Sequence, residues 1–217
     1  MKRNLVLPVL LFSIHVSICA QQRKEISHYL FPEFTEGVVL MKNGVKNPAL
    51  LNYNAATEEM IFKQGDQVLA LAEPTLNQLD TVFIGDRVFI LYERKFVEIL
   101  HRDGFNLFAQ NKCRVIPPGK PAAYGGTSQT SSTDSYSGWV SGGRLYELKL
   151  PDDYQVKPYT IYLLDNGSGW KSIKSMRQLS NIYKKERALY KKYTDENSVD
   201  FEDQKAVAQL IHFMETH

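Results

Sequence analysis

Four glycine-centred turn signals, set about one strand apart, constrain this chain more than anything else in it. "EGVVLMK" leads into Asn43-Gly44 and then "VKNPALLNY". "EEMIFK" meets Gly65-Asp66 and then "QVLALAE". "DTVFI" meets Gly85-Asp86 and then "RVFILYE", and "FVEILHR" meets Asp103-Gly104 and then "FNLFAQ". Glycine beside Asn or Asp supplies the positive φ angles that tight hairpin turns need. Apolar, β-branched segments between such turns predict an antiparallel β meander over residues 21–116. Two of the runs, Val68 to Ala72 and Val88 to Tyr92, are apolar on both faces. Strict alternation marks a strand with one wet face, so these predict central strands covered on both sides, in a curled sheet or a sandwich. Pro48 lacks a backbone N–H and predicts a local edge or bulge in the second strand.

The start of the chain predicts export. Lys2 and Arg3 precede the apolar stretch Leu5 to Ile18, and Ala20 is followed by the polar Gln21. That order is a secretory signal peptide over residues 1–20, with cleavage between Ala20 and Gln21. The alternative is a lipoprotein signal with Cys19 as the lipidated residue. Either way the expected location is the periplasm or the cell surface. No later stretch reaches the roughly 18 apolar residues of a membrane helix, although peripheral attachment stays open. Without Lys2 and Arg3, 24 basic residues face 24 acidic ones. A neutral chain lacks the basic footprint of a nucleic-acid binder. Cys113 then stands alone, so no internal disulfide is expected and the core must hold the fold. Its strand-like context predicts burial as a small hydrophobe rather than a reactive thiol.

Residues 117–143, "PPGKPAAYGGTSQTSSTDSYSGWVSGG", are mostly Gly, Ser, Thr and Pro and predict a flexible loop. Tyr124, Tyr136 and Trp139 are the aromatic exceptions. They serve either to stack on a sugar or protein partner or to pin the loop to the body. Residues 144–217 follow as strands and helices. "DNGSGWKSIKS", residues 165–175, admits three readings: a phosphate loop, a glycosylation sequon at Asn166, and a hairpin. A phosphate loop needs Lys directly after its last glycine, but Trp170 separates Gly169 from Lys171, and Leu164 stands where the earlier glycine belongs. Ser175 and Gln178 form a capping-box pattern, which starts the next helix later. Asn166 to Gly169 is therefore read as a hairpin tip, with residues 170–174 as a short return strand.

Leu179, Ile182, Tyr183, Leu189, Tyr190 and Tyr193 make an apolar stripe, with a break near Lys184. Asp200 and Asp203 open a last helix, in which Val207, Leu210, Ile211 and Met214 share one face. Lys184, Lys185, Arg187, Lys191 and Lys192 form the opposite basic face, read as solvated surface over an anionic-membrane patch. The fold class is α+β: an antiparallel meander followed by a C-terminal hairpin and two or three helices, packed as one globular unit.

A resemblance covers most of the mature chain. The signal, "EGVVLMKNGVKNPALLNYNAATEEMIF" and the tail from "YTIYLLDNGSGW" to "HFMETH" are similar to a group of secreted β-rich proteins from Bacteroidetes-type bacteria. The resemblance implies a periplasmic or outer-membrane-facing location. It carries no activity and no catalytic residues.

Few chemistries find a motif. His28, His101, His212 and His217 show no zinc spacing, and none is near Cys113 in sequence. Glu58-Glu59 and Asp152-Asp153 lack the pattern of a calcium loop. There is no G-x-S-x-G elbow. No cofactor is implied. The expectation is a non-catalytic exported module that binds a protein or cell-envelope partner. The alternative is a glycan-directed hydrolase whose carboxylates meet only in the fold.

Overall fold

The computed structural model describes residues 28–116, 120–121, 127–128 and 155–217. Its centre is an antiparallel sheet of ten strands, accompanied by four helices. The strands are β1 (Thr35–Met41), β2 (Lys46–Asn54), β3 (Glu59–Gln64), β4 (Gln67–Ala70), β5 (Leu79–Ile84), β6 (Arg87–Tyr92), β7 (Lys95–Asp103) and β8 (Phe105–Ile116). Lys120–Pro121 (β9) and Thr127–Ser128 (β10) pair separately, inside the segment expected as loop. β11 (Gln155–Asp165) and β12 (Lys171–Ile173) complete the sheet. A short helix α1 (Glu73–Gln78) lies between β4 and β5, and α2 (Met176–Ile182), α3 (Arg187–Glu196) and α4 (Gln204–Thr216) follow β12.

All four signalled turns join antiparallel neighbours, and Gly44, Gly65, Gly85 and Gly104 each sit at positive φ. The order across the sheet is β12-β11-β8-β7-β6-β5-β1-β2-β3-β4. Sequence order breaks where β5 pairs with β1 instead of β4. α1, with Pro74 in its first turn, carries the chain back from the β4 edge to the open side of β1.

The reading of Val68 to Ala72 as a central strand is corrected here. β4 is the outermost strand, and at four residues it is short, which limits the open edge it presents. Its apolar content has a simpler use. Leu69 pairs with Phe62, and Leu71 and Phe62 pack on the core. Val88 to Tyr92 is central as expected, between β5 and β7, with Phe89 in the core. Pro48 pairs with Val38 of β1, but β3 pairs only with Leu50 to Asn54, so Pro48 lies on an overhang.

One face of the sheet feeds two cores, and β8 serves both. Its residues Phe105, Leu107 and Ala109 join Tyr162, Leu164 and Ile173 beneath the helices. Cys113 and Val115, farther along the same face, join a core of Leu51, Tyr53, Val82, Ile84 and Phe89. Tyr53 and Phe89 stack with centroids 6.0 Å apart. Asn111 falls between the cores, with Thr160 opposite it on β11. There Glu98 accepts a two-point bond from Arg87 and a third from Asn111 Nδ2 at 3.1 Å. Gln204, the first residue of α4, donates to Asn111 Oδ1 and, at 3.1 Å, to Thr160 Oγ1. The polar group thus fixes the helical part on the sheet.

Strands far apart in the order also touch. Cys113 N donates to Ala55 O at 3.1 Å, and the Tyr53 hydroxyl donates to Asn111 O at 2.9 Å. These bonds bring the end of β2 to β8, five places away, and β3 lies against β7.

The helices start where the caps said they would. Ser175 Oγ accepts from Gln178 N at 3.3 Å, and the Gln178 side chain accepts from Lys174 N at 2.7 Å. Asp203 accepts from Lys205 N and Ala206 N. Val207, Leu210, Ile211 and Met214 are all buried. The stripe from Leu179 to Tyr193 is split between α2 and α3, with the break at residues 183–186. Among the described residues no helix is long and apolar enough to cross a membrane.

Candidate binding surface at two turns

Two hairpin turns meet on the surface. The first joins β11 to β12. Gly167 and Gly169 have φ of +84° and +91°, and Asp165 Oδ1 accepts from Gly167 N at 3.1 Å. Asn166 organises the tip. Its Nδ2 donates to both oxygens of Glu215 on α4, at 3.1 and 3.0 Å, and its Oδ1 accepts from Ser168 Oγ and Lys171 Nζ. Glu215 in turn accepts from the Tyr183 hydroxyl at 2.7 Å. Lys171 therefore closes its own hairpin, and no helix begins until Met176. The geometry is that of a hairpin, not a phosphate loop.

The moored tip holds Trp170 outward. Its ring lies 4.9 Å from Tyr92 and 5.3 Å from Phe108, centroid to centroid, and 43% of the residue stays exposed. Phe108 is buried beneath. A half-exposed indole held on packed rings has the build of an interface anchor. Burial, then the carboxylates of Glu93 and Asp165, hold the Tyr92 phenol above its ordinary pKa.

The second turn joins β6 to β7 and follows Tyr92. Glu93 and Arg94 occupy it with φ of +49° and +64°, in the left-handed region that side chains disfavour. Arg94 donates to Glu73 at the start of α1. This pair rims a cleft of about 460 Å³ between α1 and the sheet. Leu76, Leu79, Ile90 and Leu91 supply its apolar lining. Lys42, Asn77, Asp80, Thr81 and Arg102 supply the polar lining. Lys42 Nζ donates to Asn77 O at 3.0 Å, and Asp80 accepts from Thr81 Oγ1 at 3.0 Å.

Two carboxylates elsewhere, the buried Glu98 and the half-buried Glu58, are already engaged. Glu98 is held by Arg87 and Asn111, and Glu58 by Lys112 at 2.8 Å and Gln110 at 2.6 Å. Cys113 is buried, and burial first, then Glu58, pushes its thiol up to about 12. That is a small core residue, as expected. The rings of His101 and His212 pack 5.0 Å apart, and His28 is buried with its ring against Tyr29. Among the described residues no three His, Cys, Asp or Glu side chains gather to hold a metal. Lys184, Lys185, Arg187, Lys191 and Lys192 are exposed.

Of the residues singled out from sequence, Ala20, Gln21, Tyr124, Tyr136 and Trp139 lie outside the described residues. The surface described above rests on Trp170, Tyr92 and Phe108, which sequence reasoning passed over as site residues. The signal was present: a tryptophan among Gly, Ser and Lys at a hairpin tip has no apolar neighbours in sequence to explain it. Its supports, Tyr92 and Phe108, come from strands far away along the chain. Comparison with family models, curated proteins and solved structures gave no match.

Proposed function

We propose that this chain is an exported, non-catalytic binding module whose partner, a protein or a cell-envelope component, docks over the β6–β7 and β11–β12 turns. The observation that carries the reading is Trp170, left open to water on packed Tyr92 and Phe108 at a tip moored to α4. Interfaces draw most of their energy from a few such rigid aromatic anchors. The engagement of Glu98 and Glu58 in ion pairs favours binding over acid–base chemistry. Export rests on the signal-like first 20 residues and on the resemblance to secreted β-rich proteins. That location, periplasm or cell surface, with lipid attachment at Cys19 as the alternative, belongs to the same proposal. So does the curled form of the meander, supported by the Ala55–Cys113 and Tyr53–Asn111 bonds.

The second reading, a glycan-directed hydrolase, draws on Glu73 and Asp80, two carboxylates lining one cleft. Against it, Glu73 is exposed and bound to Arg94. Co-sedimentation with isolated envelope fractions tests the first reading. The wild-type protein should pellet with them and Trp170→Ala should stay in solution. Equal pelleting of both proteins refutes the Trp170 face. Release of reducing sugar that is lost in Asp80→Asn establishes the hydrolase.

A further inference from the structure

The turn that carries Arg94 breaks a pattern. At four of the other five hairpin turns between β1 and β8, glycine takes the positive-φ position (Gly44, Gly65, Gly85 and Gly104), and at the β2–β3 turn a single residue, Glu58, takes it. Only the β6–β7 turn places two side-chain-bearing residues, Glu93 and Arg94, in that region. Asn-Gly would form the same turn without strain. Strain of this kind persists where the side chain is needed in place.

The cleft shows what Arg94 is placed beside. Three cations, Lys42, Arg94 and Arg102, line it with two carboxylates, Glu73 and Asp80. Glu73 spends its charge on Arg94, and Asp80 takes the Thr81 hydroxyl. Arg102 has no bonded partner among the described residues, and Lys42 uses one of its three N–H donors. The balance is one unspent positive charge over an apolar lining of Leu76, Leu79, Ile90 and Leu91. A cleft of this size, with four apolar side chains in a lining that is otherwise polar and charged, has room for a small ligand that carries its own charge. A guanidinium fork fits the two oxygens of a carboxylate or phosphate.

We infer that the cleft between α1 and the β6–β7 turn binds a small anionic amphiphile, its carboxylate or phosphate on Arg102 and Lys42 and its apolar body on the leucine and isoleucine lining. Arg94 closes the rim and can exchange Glu73 for the incoming anion. The site shares the β6–β7 turn with the Trp170 surface but not Trp170 itself, so small-anion binding and partner docking are read out separately.

Titration calorimetry with hexanoate, hexyl phosphate and neutral hexanol, each below its aggregation concentration, tests this on the full mature chain. At least one of the two anions should bind, and hexanol should not. The preferred anion identifies the head group. Arg102→Gln should weaken that anion by roughly tenfold. Arg94→Gly should weaken it too while raising the thermal midpoint, because glycine relieves the turn. Lys63→Gln, an exposed lysine on β3, is the control for general charge loss. Absence of heat from both anions at millimolar concentration overturns the inference. So does hexanol binding as well as the anions, or anion binding that Arg102→Gln and Lys63→Gln reduce equally.

Discussion

Acid should loosen the N-terminal strap through His28. Residues 28–34 run beside β2, held by Ala55 N on His28 O at 2.8 Å and Leu30 N on Tyr53 O at 2.9 Å. Asn52 clamps the strap further, accepting from Phe31 N and donating to Phe31 O and Glu33 O. His28 is 7% exposed, and its Nε2 has no bonded partner. Burial lowers its pKa from 6.5 to about 4. Between those values the unfolded chain takes up a proton that the native imidazole refuses, so stability falls as pH falls. The loss is absent above about pH 7 and complete below pH 4. A displacement of this size is worth about 3 kcal/mol at the acid limit, at about 1.4 kcal/mol for each pH unit. At pH 5 roughly 2 kcal/mol is already gone. Urea unfolding of the wild type and His28→Gln at pH 7 and pH 5 isolates the term, because the carboxylates titrate alike in both. The wild type should lose about 2 kcal/mol more than the variant over that interval. Amide exchange at Leu30 and Ala55 should also rise with acid. An equal pH dependence in both proteins refutes the argument.

Three further outcomes follow from the packing. Gly37→Ala places a Cβ against the Phe83 carbonyl and Leu51 Cδ1 in the centre of the sheet, and should cost about 1–3 kcal/mol by chemical denaturation. Glu98→Ala leaves the Arg87 charge without its carboxylate and Asn111 Nδ2 without its acceptor where the two cores meet. It should cost about 3–5 kcal/mol and raise exchange in α4, whose first residue Gln204 belongs to the same group. Cys113, with its thiol at about 12 and its side chain buried, should resist iodoacetamide at pH 8 in the native protein and react only in denaturant.

Local chemistry was readable from the sequence, and long-range pairing was not. The Gly-containing turns, the Asn166–Gly169 tip, the Ser175 and Asp203 caps and the α4 stripe each depend on a few neighbouring residues, and the structure has them where the spacing placed them. The return of β5 to β1 depends on which open strand edge α1 can reach, and periodicity carries no such information. The same limit produced the error at Val68 to Ala72: a two-sided apolar run fits a central strand or a short edge strand with core-facing leucines equally well. The proposed binding surface was hidden for this reason too. Tyr92, Phe108 and Trp170 come from β6, β8 and a late hairpin tip, and only the pairing of β8 with β11 brings them together.

The most direct test of the binding claim is photo-cross-linking in the producing cell. A photoreactive amino acid is placed at position 170, and in a second strain at position 63 on β3. Position 170 should give one discrete adduct with an envelope protein or glycan, and position 63 should not. No adduct from 170, or the same adducts from both positions, contradicts the account.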